Sequence, residues 1–312
     1  MTGWLKFAQD NLELLIVVLF FGSVLLNGIE LIWEFVAKRM SWDRAKEMLA
    51  SYSTLIPTKA AEFLMLGVTI KIYFFVYSLV PWYIPLNTWS IVLAVVVVDF
   101  LYYWEHRLEH ETRVLWTYHS VHHSSNIYNY SVAFRILFTE QFTSFVFFLP
   151  AVLVGFHPIV VLLSLGVILS YQYWLHTEMI PKLGILERIF CTPSLHRVHH
   201  GSDEKYLDKN YGAIFSVWDQ LFGTYQVEEE RPTYGLVNPI GSSNPIKVHF
   251  YEFGNLWRDL RAAKSFGEVW RRLFFPPGWQ PEEDTKQPLA SKSTKSPKTK
   301  GQGHQSLEGS PS

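Results

Sequence analysis

Long apolar runs separated by short polar connections dominate the first 180 residues of the chain. The first run covers residues 14–35, and a helix needs about 20 apolar residues to cross a hydrocarbon core. The second covers 63–80 and the third 88–104. Two more runs, 142–156 and 158–175, are separated by GFHP, whose glycine and proline break a helix. The pattern predicts an all-α, polytopic membrane helix bundle with four or five apolar segments.

The fourth run is short for a full crossing, because it holds only 15 residues. The last two runs therefore form either two crossings or one re-entrant hairpin. Lys38, Arg39, Arg44 and Lys46 follow the first run, and the positive-inside rule places this basic loop in the cytoplasm. The second run then leaves the cytoplasm, the third returns to it, and a hairpin of either kind returns again. We therefore expect the segments after the third and fifth runs on the cytoplasmic face.

The composition excludes several classes of protein. Acidic residues (28) and basic residues (27) nearly balance, and no basic stripe with interleaved aromatic residues occurs, so nucleic acid is not an expected partner. The chain has one cysteine, Cys191, which excludes a disulfide framework, a zinc knuckle or an iron–sulfur cluster.

Eight of the 12 histidines fall into three short motifs, HRLEH, HSVHH and HRVHH. The spacing i, i+4 in the first motif and i, i+3, i+4 in the other two puts the histidines of each motif on one face of a helix. In HRVHH, Thr192 and Pro193 predict the start of that helix and Gly201 its C-cap. A ninth histidine, His176, ends the fifth apolar run and is either a ligand or an interfacial histidine. The predicted metal ligands are His106, His110, His119, His122, His123, His176, His196, His199 and His200.

Nine imidazoles are more than one ion can bind, so the motifs predict two metal ions at the face of the membrane bundle. Imidazole binds several transition metals, and the choice of iron rests on context. A site without thiolates, lined by aromatic residues at a membrane face, suits oxygen activation and attack on a lipid C–H bond. HRLEH also matches the H-x-x-E-H zinc-protease pattern, with Glu109 as general base. That alternative leaves the other clustered histidines unexplained. His157, His249 and His304 are interpreted as ordinary histidines.

Two carboxylates are candidate catalytic residues beside the ligands. Asp99 precedes His106 by seven residues and lies two helical turns deeper on the same face, where it would orient an imidazole. The alternative is a packing hydrogen bond to a neighbouring element. Glu111 is either a ligand, a partner of a ligand or a solvated surface residue. Further polar candidates for shaping the site or binding a headgroup are Asn126, Asn129, Arg135, Asp208, Asn210, Tyr211, Trp218 and Asp219.

At these motifs the chain resembles the sterol desaturase / fatty acid hydroxylase superfamily of membrane histidine-rich di-iron oxygenases. The resemblance covers about residues 98–250 and carries HxxxH followed by two HxxHH motifs. Within that superfamily, segments such as DFLYYWEHRLEHE and HHSSNIYNYSVAFR are most similar to the alkylglycerol monooxygenase subfamily. The resemblance implies that the nine histidines hold two Fe ions, with Glu111 as a further candidate. It also implies an enzyme that hydroxylates or desaturates the alkyl chain of an ether lipid, a fatty acyl group or a sterol.

Members of the superfamily take electrons from a tetrahydropterin, cytochrome b5 or a ferredoxin-type donor. The HPGG signature of a fused cytochrome b5 domain is missing from the sequence, so we expect an external electron donor or reductase. The expected organisation is N-terminal membrane helices in 1–85, a catalytic domain with a cytoplasmic histidine-rich helical cap in 86–250, an amphipathic extension in 251–279 and a disordered tail in 280–312.

Two other functions stay open on the residues. A sterol or fatty-acyl desaturase of the same superfamily would begin with the same hydrogen abstraction. A metal transporter or sensor would need ionisable residues along several spans, for which only Asp99, Lys71 and the pair Glu30 and Glu34 are candidates.

Overall fold

The chain forms a helical bundle in which a part built from long apolar helices carries a cap of short helices and loops. The computed structural model describes residues 3–281, with the backbone alone for residues 3–13, 15 and 16. Most of the predicted disordered tail, with His304, lies outside the described residues. Twelve α-helices and three short 3₁₀ helices occur in the described part, and β-structure there is limited to two isolated bridges. The predicted all-α class is confirmed.

The bounds of the helices follow the apolar runs closely in the first half of the chain. The helices are α1 (Gly3–Val36), α2 (Trp42–Ser53), α3 (Leu55–Leu79), α4 (Thr88–Glu111), α5 (Arg113–His123), α6 (Ser144–Phe147), α7 (Leu149–Leu153), α8 (Pro158–Tyr173), α9 (Pro193–His199), α10 (Val217–Phe222), α11 (Pro245–Ala262) and α12 (Phe266–Phe274).

Three helical segments, Val17–Val36, Trp42–Leu79 and Thr88–Glu111, are long and apolar enough to cross a membrane. Their outward surfaces are apolar, as the exposed side chains of Phe20 and Phe63 illustrate. Two shorter apolar segments, Ser144–Leu153 and Pro158–Tyr173, follow. These apolar helices indicate a membrane protein. The number of segments that cross the membrane, four or five, stays a prediction.

The hairpin made by α7 and α8 reaches the end of the bundle where α3 connects to α4. Ile84 of that connection donates its backbone N–H to the carbonyl of Gly155 at 2.9 Å. Gly155 has φ +105°, and a Cβ there would lie 3.0 Å from Trp82, so only glycine fits this turn. From this apex α8 packs along α4, and Val98, Val161 and Ile168 are buried in the shared core.

The opposite end of the bundle is held by buried acidic groups of α1. Glu30 accepts the backbone N–H of Tyr130 at 2.6 Å, and Glu34 pairs with Arg44. Arg39 pairs with Glu178, which follows the fifth apolar run. The basic loop after α1 therefore lies at the same end of the bundle as the chain after α5 and after α8. Its location on the cytoplasmic side stays a prediction.

Candidate metal centre

Three helices deliver the histidine motifs to that end of the bundle. Helix α4 continues without a break from its apolar part through HRLEH, and α5 carries HSVHH. Helix α9 begins where predicted, because the Thr192 side chain accepts the N–H of Leu195 and Pro193 is its first residue. Gly201 does not take the left-handed C-cap conformation expected of it. A Cβ on Gly201 would lie 2.9 Å from the carbonyl of Val198, so glycine is required there for close packing.

All nine predicted ligands are brought together in two groups, within each of which the candidate ligand atoms lie within 4.8 Å of one another. The five-histidine cluster consists of His106, His110, His119, His123 and His199. The four-histidine cluster consists of His122, His176, His196 and His200. The clusters are neighbours, since the rings of His123 and His200 stack with centroids 4.4 Å apart.

In the five-histidine cluster, ring nitrogens that carry lone pairs point towards one another. His106 Nδ1 lies 2.9 Å from the carbonyl oxygen of Tyr211, and His119 Nδ1 lies 2.9 Å from a carboxylate oxygen of Glu109. Because these oxygens accept, each Nδ1 carries the proton and each Nε2 is left unprotonated. The two Nε2 atoms are 3.2 Å apart. Two lone pairs at this distance repel unless a cation lies between them.

In the four-histidine cluster the same reasoning fixes the tautomer of His176. His176 donates Nδ1–H to the carbonyl of Gln172 at 2.9 Å, so its Nε2 is an acceptor. That Nε2 lies 3.0 Å from Nε2 of His196 and 3.2 Å from Nε2 of His122. Neighbouring ligand nitrogens bonded to one metal at about 2.0–2.1 Å are separated by roughly 3.0–3.4 Å. The spacing fits the edges of a coordination shell.

Several buried ring nitrogens have no hydrogen-bond partner. Nε2 of His110, His199 and His200 is among these atoms, and each belongs to a cluster. A buried nitrogen without a partner is costly, and a metal ion would satisfy it. The donor set therefore fits a pair of metal ions.

Burial also keeps the imidazoles in the neutral form that binds metals. Burial lowers the pKa of His119 to about 3 and the pKa of His176 to about 4. The pKa of His196 is lowered well below its usual value by burial and by His176 beside it. These groups are uncharged at neutral pH.

Aromatic side chains and no thiolate line the clusters. Tyr128 stacks on His176 with centroids 5.8 Å apart, and Trp116 lies 5.1 Å from His110. Cys191 is buried elsewhere and donates to the carbonyl of Gly212 at 3.0 Å. The surroundings of the histidines are therefore apolar and free of sulfur ligands within the described residues.

Asp99 does not reach an imidazole, which differs from the role expected for it. One of its oxygens accepts the N–H of Ile214 at 2.8 Å, and the other accepts Trp218 Nε1–H at 2.8 Å. The loop that it binds also contains Tyr211, whose carbonyl holds His106. Asp99 therefore contacts the loop that holds His106 and does not contact a ligand itself. The other expected carboxylate, Glu111, pairs with Arg107 at 2.8 Å and is in neither cluster.

Glu109 is the carboxylate that the ligand prediction missed. It accepts from the outer nitrogen of His119 rather than facing the space between the ligands, which argues against a zinc-protease base. Glu140 lies close to it, since candidate ligand atoms of Glu109, His119 and Glu140 are within 4.8 Å of one another. Burial and then the Glu109 carboxylate raise the pKa of Glu140. The only sequence signal for Glu109 was its place inside HRLEH.

The remaining candidates have local roles. His157 accepts the N–H of Ile159 at the start of α8, and His249 forms a hydrogen bond with the carbonyl of Pro245.

Asp208 approaches Nδ1 of His110 at 3.6 Å. Asp219 accepts the N–H groups of Tyr211 and Gly212. Arg135 is buried and pairs with Glu47 at 2.8 Å, and Asn129 donates to Glu34.

Comparison with known proteins agrees with these motifs. The fatty acid hydroxylase family profile matches residues 91–224. Alkylglycerol monooxygenase of Homo sapiens is 37% identical over 84% of this chain and 59% of its own length. Its counterpart from Danio rerio is 36% identical over 76% of this chain and 54% of its own length. An ornithine lipid hydroxylase of Rhizobium tropici, OlsE, is 34% identical over 44% of this chain and 41% of its own length.

The chain thus spans between half and two thirds of the length of the alkylglycerol monooxygenases named above. No solved structure matches it significantly. The family match begins in α4 and ends just after α10, so it contains all nine clustered histidines. The predicted resemblance is confirmed, and the chain belongs to the fatty acid hydroxylase family.

Proposed function

We propose that this chain is an integral-membrane di-iron enzyme that hydroxylates the alkyl chain of a lipid with O2 and electrons from an external donor. The observation that carries the proposal is the pair of neighbouring clusters in which the ring nitrogens of different histidines lie 3.0–3.2 Å apart. An all-nitrogen, thiolate-free donor set suits iron. Iron bound in both clusters would supply the O2 activation that an unactivated C–H bond requires.

The residues of the chain hold, orient and shield that centre. Tyr211, Gln172 and Glu109 accept from the outer nitrogens of three ligands and so aim the inner nitrogens. Tyr128 and Trp116 cover the clusters with aromatic surface that excludes water. Because the helix α4 carries its ligands at the end of a membrane span, a lipid chain can approach from within the bilayer.

The names of the relatives indicate the substrate class. Alkylglycerol monooxygenases and an ornithine lipid hydroxylase both act on molecules that combine a long chain with a polar head. We assign an ether lipid as the first candidate substrate, with fatty acyl lipids and sterols next. A tetrahydropterin is the first candidate electron donor, followed by cytochrome b5 and a ferredoxin-type protein. The centre would face the cytoplasm in a multi-pass membrane protein.

A transport function is disfavoured by the contacts of the intramembrane carboxylates. Glu30 and Glu34 accept from Tyr130 and Asn129, and Asp99 accepts from a loop. Each of these carboxylates is thus held by hydrogen bonds within the protein, whereas carboxylates that line an ion pathway are available to the ion.

The test combines metal analysis with a lipid assay. Detergent-purified protein, prepared without chelators, should contain two irons per chain that are coupled in Mössbauer spectra. In vesicles that contain an alkylglycerol, with O2 and reduced tetrahydropterin, the protein should then oxidise the alkyl chain of the alkylglycerol. His199→Ala should remove activity, whereas His249→Gln, outside both clusters, should retain it. One zinc per chain and no iron in iron-replete cells would overturn the proposal.

A further inference from the structure

Helix α12 presents its apolar side to the outside and its charged side to the protein. The side chains of Phe266 and Trp270 are 82% and 53% exposed. On the opposite face, the side chains of Glu268 and Arg272 pair with each other and are only 14% and 10% exposed. A helix surrounded by water takes the reverse arrangement. Something apolar must therefore cover its outer face.

The outer face is continuous and aromatic. Phe266, Trp270 and Phe274 recur every four residues along it, and the rings of Trp270 and Phe274 are in contact at 4.3 Å. The preceding helix α11 adds exposed Phe250 and Trp257 to the same hairpin. Clusters of Trp and Phe flanked by basic residues are typical of helices that lie in a membrane interface.

Charged contacts determine where this hairpin lies relative to the membrane span α4. Arg113 comes two residues after the end of α4 and donates its backbone N–H to the carbonyl of Phe275 at 3.0 Å. Its side chain donates to the carbonyl of Pro277 at 2.8 Å and pairs with Glu252 of α11 at 3.1 Å. The end of α12 is thus bonded to the residue at which the chain leaves a membrane-spanning helix.

We infer that the outer face of α12 is immersed in the headgroup–acyl boundary of the bilayer, on the side that carries the histidine clusters. The partner is lipid, because the end of α12 is hydrogen-bonded to Arg113, the residue at which α4 meets that boundary. The hairpin also packs on α5, which carries three of the nine histidines. Immersion of α12 therefore sets the depth of the metal centre just beneath the headgroups. The inference concerns placement and does not depend on the proposed chemistry.

The test measures depth directly in the full chain. Single cysteines replace Trp270 or, on the same face, Phe266, with Leu93→Cys on the exposed side of α4 and Glu204→Cys in a polar loop as references. The native Cys191 is fully buried, so the unsubstituted protein is the labelling blank. Each variant is labelled with a nitroxide in vesicles of phosphatidylcholine and phosphatidylglycerol. Its collisions with O2, which concentrates in lipid, are compared with those of a water-soluble nickel chelate.

We expect the ratio of O2 to nickel collisions at positions 270 and 266 to match that at Leu93 and to exceed that at Glu204 several-fold. A ratio equal to that at Glu204 would show a water-facing helix and overturn the inference. Dipolar broadening between labels, with both reagents excluded, would show that a second copy of the chain covers the face and would equally overturn it. Unchanged metal content in each variant verifies that the fold is intact.

Discussion

The two histidine clusters use the same ligand chemistry but differ in how their outer nitrogens are held. In the five-histidine cluster, His106, His119 and His199 all have an acceptor on Nδ1, and one of these is the Glu109 carboxylate. In the four-histidine cluster only His176 has such a partner, while Nδ1 of His122 and His196 has none. Outer partners orient a ligand and raise its basicity. If each cluster binds one ion, as proposed, we expect the five-histidine cluster to hold its ion more tightly than the four-histidine cluster.

Removal of a ligand should have the largest effect and should differ between the clusters. We expect His196→Ala to lose its ion, since only three ligands remain and His176 alone among them has an outer partner. By contrast, His199→Ala leaves four ligands and should retain metal with lower affinity. Both variants should lose more than about 100-fold in activity, the upper range for a lost outer partner. Metal content and turnover of the two variants are measured beside His249→Gln. Equal metal loss in both would remove the distinction between the clusters.

Acid should destabilise the metal-free protein through these same groups. The usual pKa of histidine is 6.5, and in the folded chain the pKa falls to about 4 for His176 and about 3 for His119. The unfolded chain therefore binds more protons below pH 6.5, so this contribution to stability is complete above pH 6.5 and is lost as pH falls towards 4. Each pKa unit corresponds to about 1.4 kcal/mol.

Thermal unfolding of the metal-free protein between pH 7 and 4 checks this prediction. The metal-loaded protein is the control, because bound ions compete with protons and should keep the unfolding temperature level to a lower pH. A metal-free protein whose stability did not change over this range would contradict the burial of neutral histidines.

Chelation should separate the two ions. A mild chelator should release iron in two phases, the first from the four-histidine cluster, with affinities that differ about 10- to 100-fold. Iron spectra recorded at half release should show an uncoupled single ion. Release of both ions in one phase would indicate that the outer partners do not set the affinity.

Glu109→Gln should reduce this difference without removing a ligand. The amide oxygen can still accept from His119, but the negative charge is lost, so we expect about tenfold weaker binding in the five-histidine cluster. The two phases of chelation should move towards each other. Glu178→Gln, a carboxylate outside both clusters that pairs with Arg39, is the matched control.

Asp99→Asn and Glu111→Gln should have the smallest effects of this series. Asp99 accepts hydrogen bonds from Ile214, Phe215 and Trp218, and an amide cannot accept all of them. We expect a loss of about 1.5 kcal/mol in unfolding free energy. Glu111→Gln, which removes a half-exposed ion pair, should cost less than about 1 kcal/mol. Thermal unfolding of both variants is the measurement, and a larger loss in Glu111→Gln would contradict the assignment.

Helical spacing was sufficient to predict which histidines share a face, because HxxHH and HxxxH need only the local geometry of a helix. Glu30 and Glu34 are buried against protein, which is usual for carboxylates in an apolar segment because charges rarely face lipid. Membrane spans and the start of α9 at Thr192 also follow from local patterns.

Partners that are distant in sequence could not be predicted. The seven-residue spacing placed Asp99 on the face of His106, but the loop at Ile214 packs against that face first. The division of the histidines into clusters of five and four could not be predicted from the sequence either, because His122 and His123 are adjacent in the sequence but belong to different clusters. By contrast, the ion pair of Glu111 with Arg107 at i, i+4 was accessible from the sequence.

The outer acceptors of His106, His176 and His199 are main-chain carbonyls, which belong to Tyr211, Gln172 and Lys209. A carbonyl is present whatever side chain its residue carries. Substitutions at these three positions can therefore accumulate without changing which ring nitrogen is protonated. Evolution, or a protein engineer, is free to reshape the side chains around the metals for a new lipid while the tautomers of three ligands stay constant. Robustness of this kind is one route by which a single scaffold can diversify its substrates.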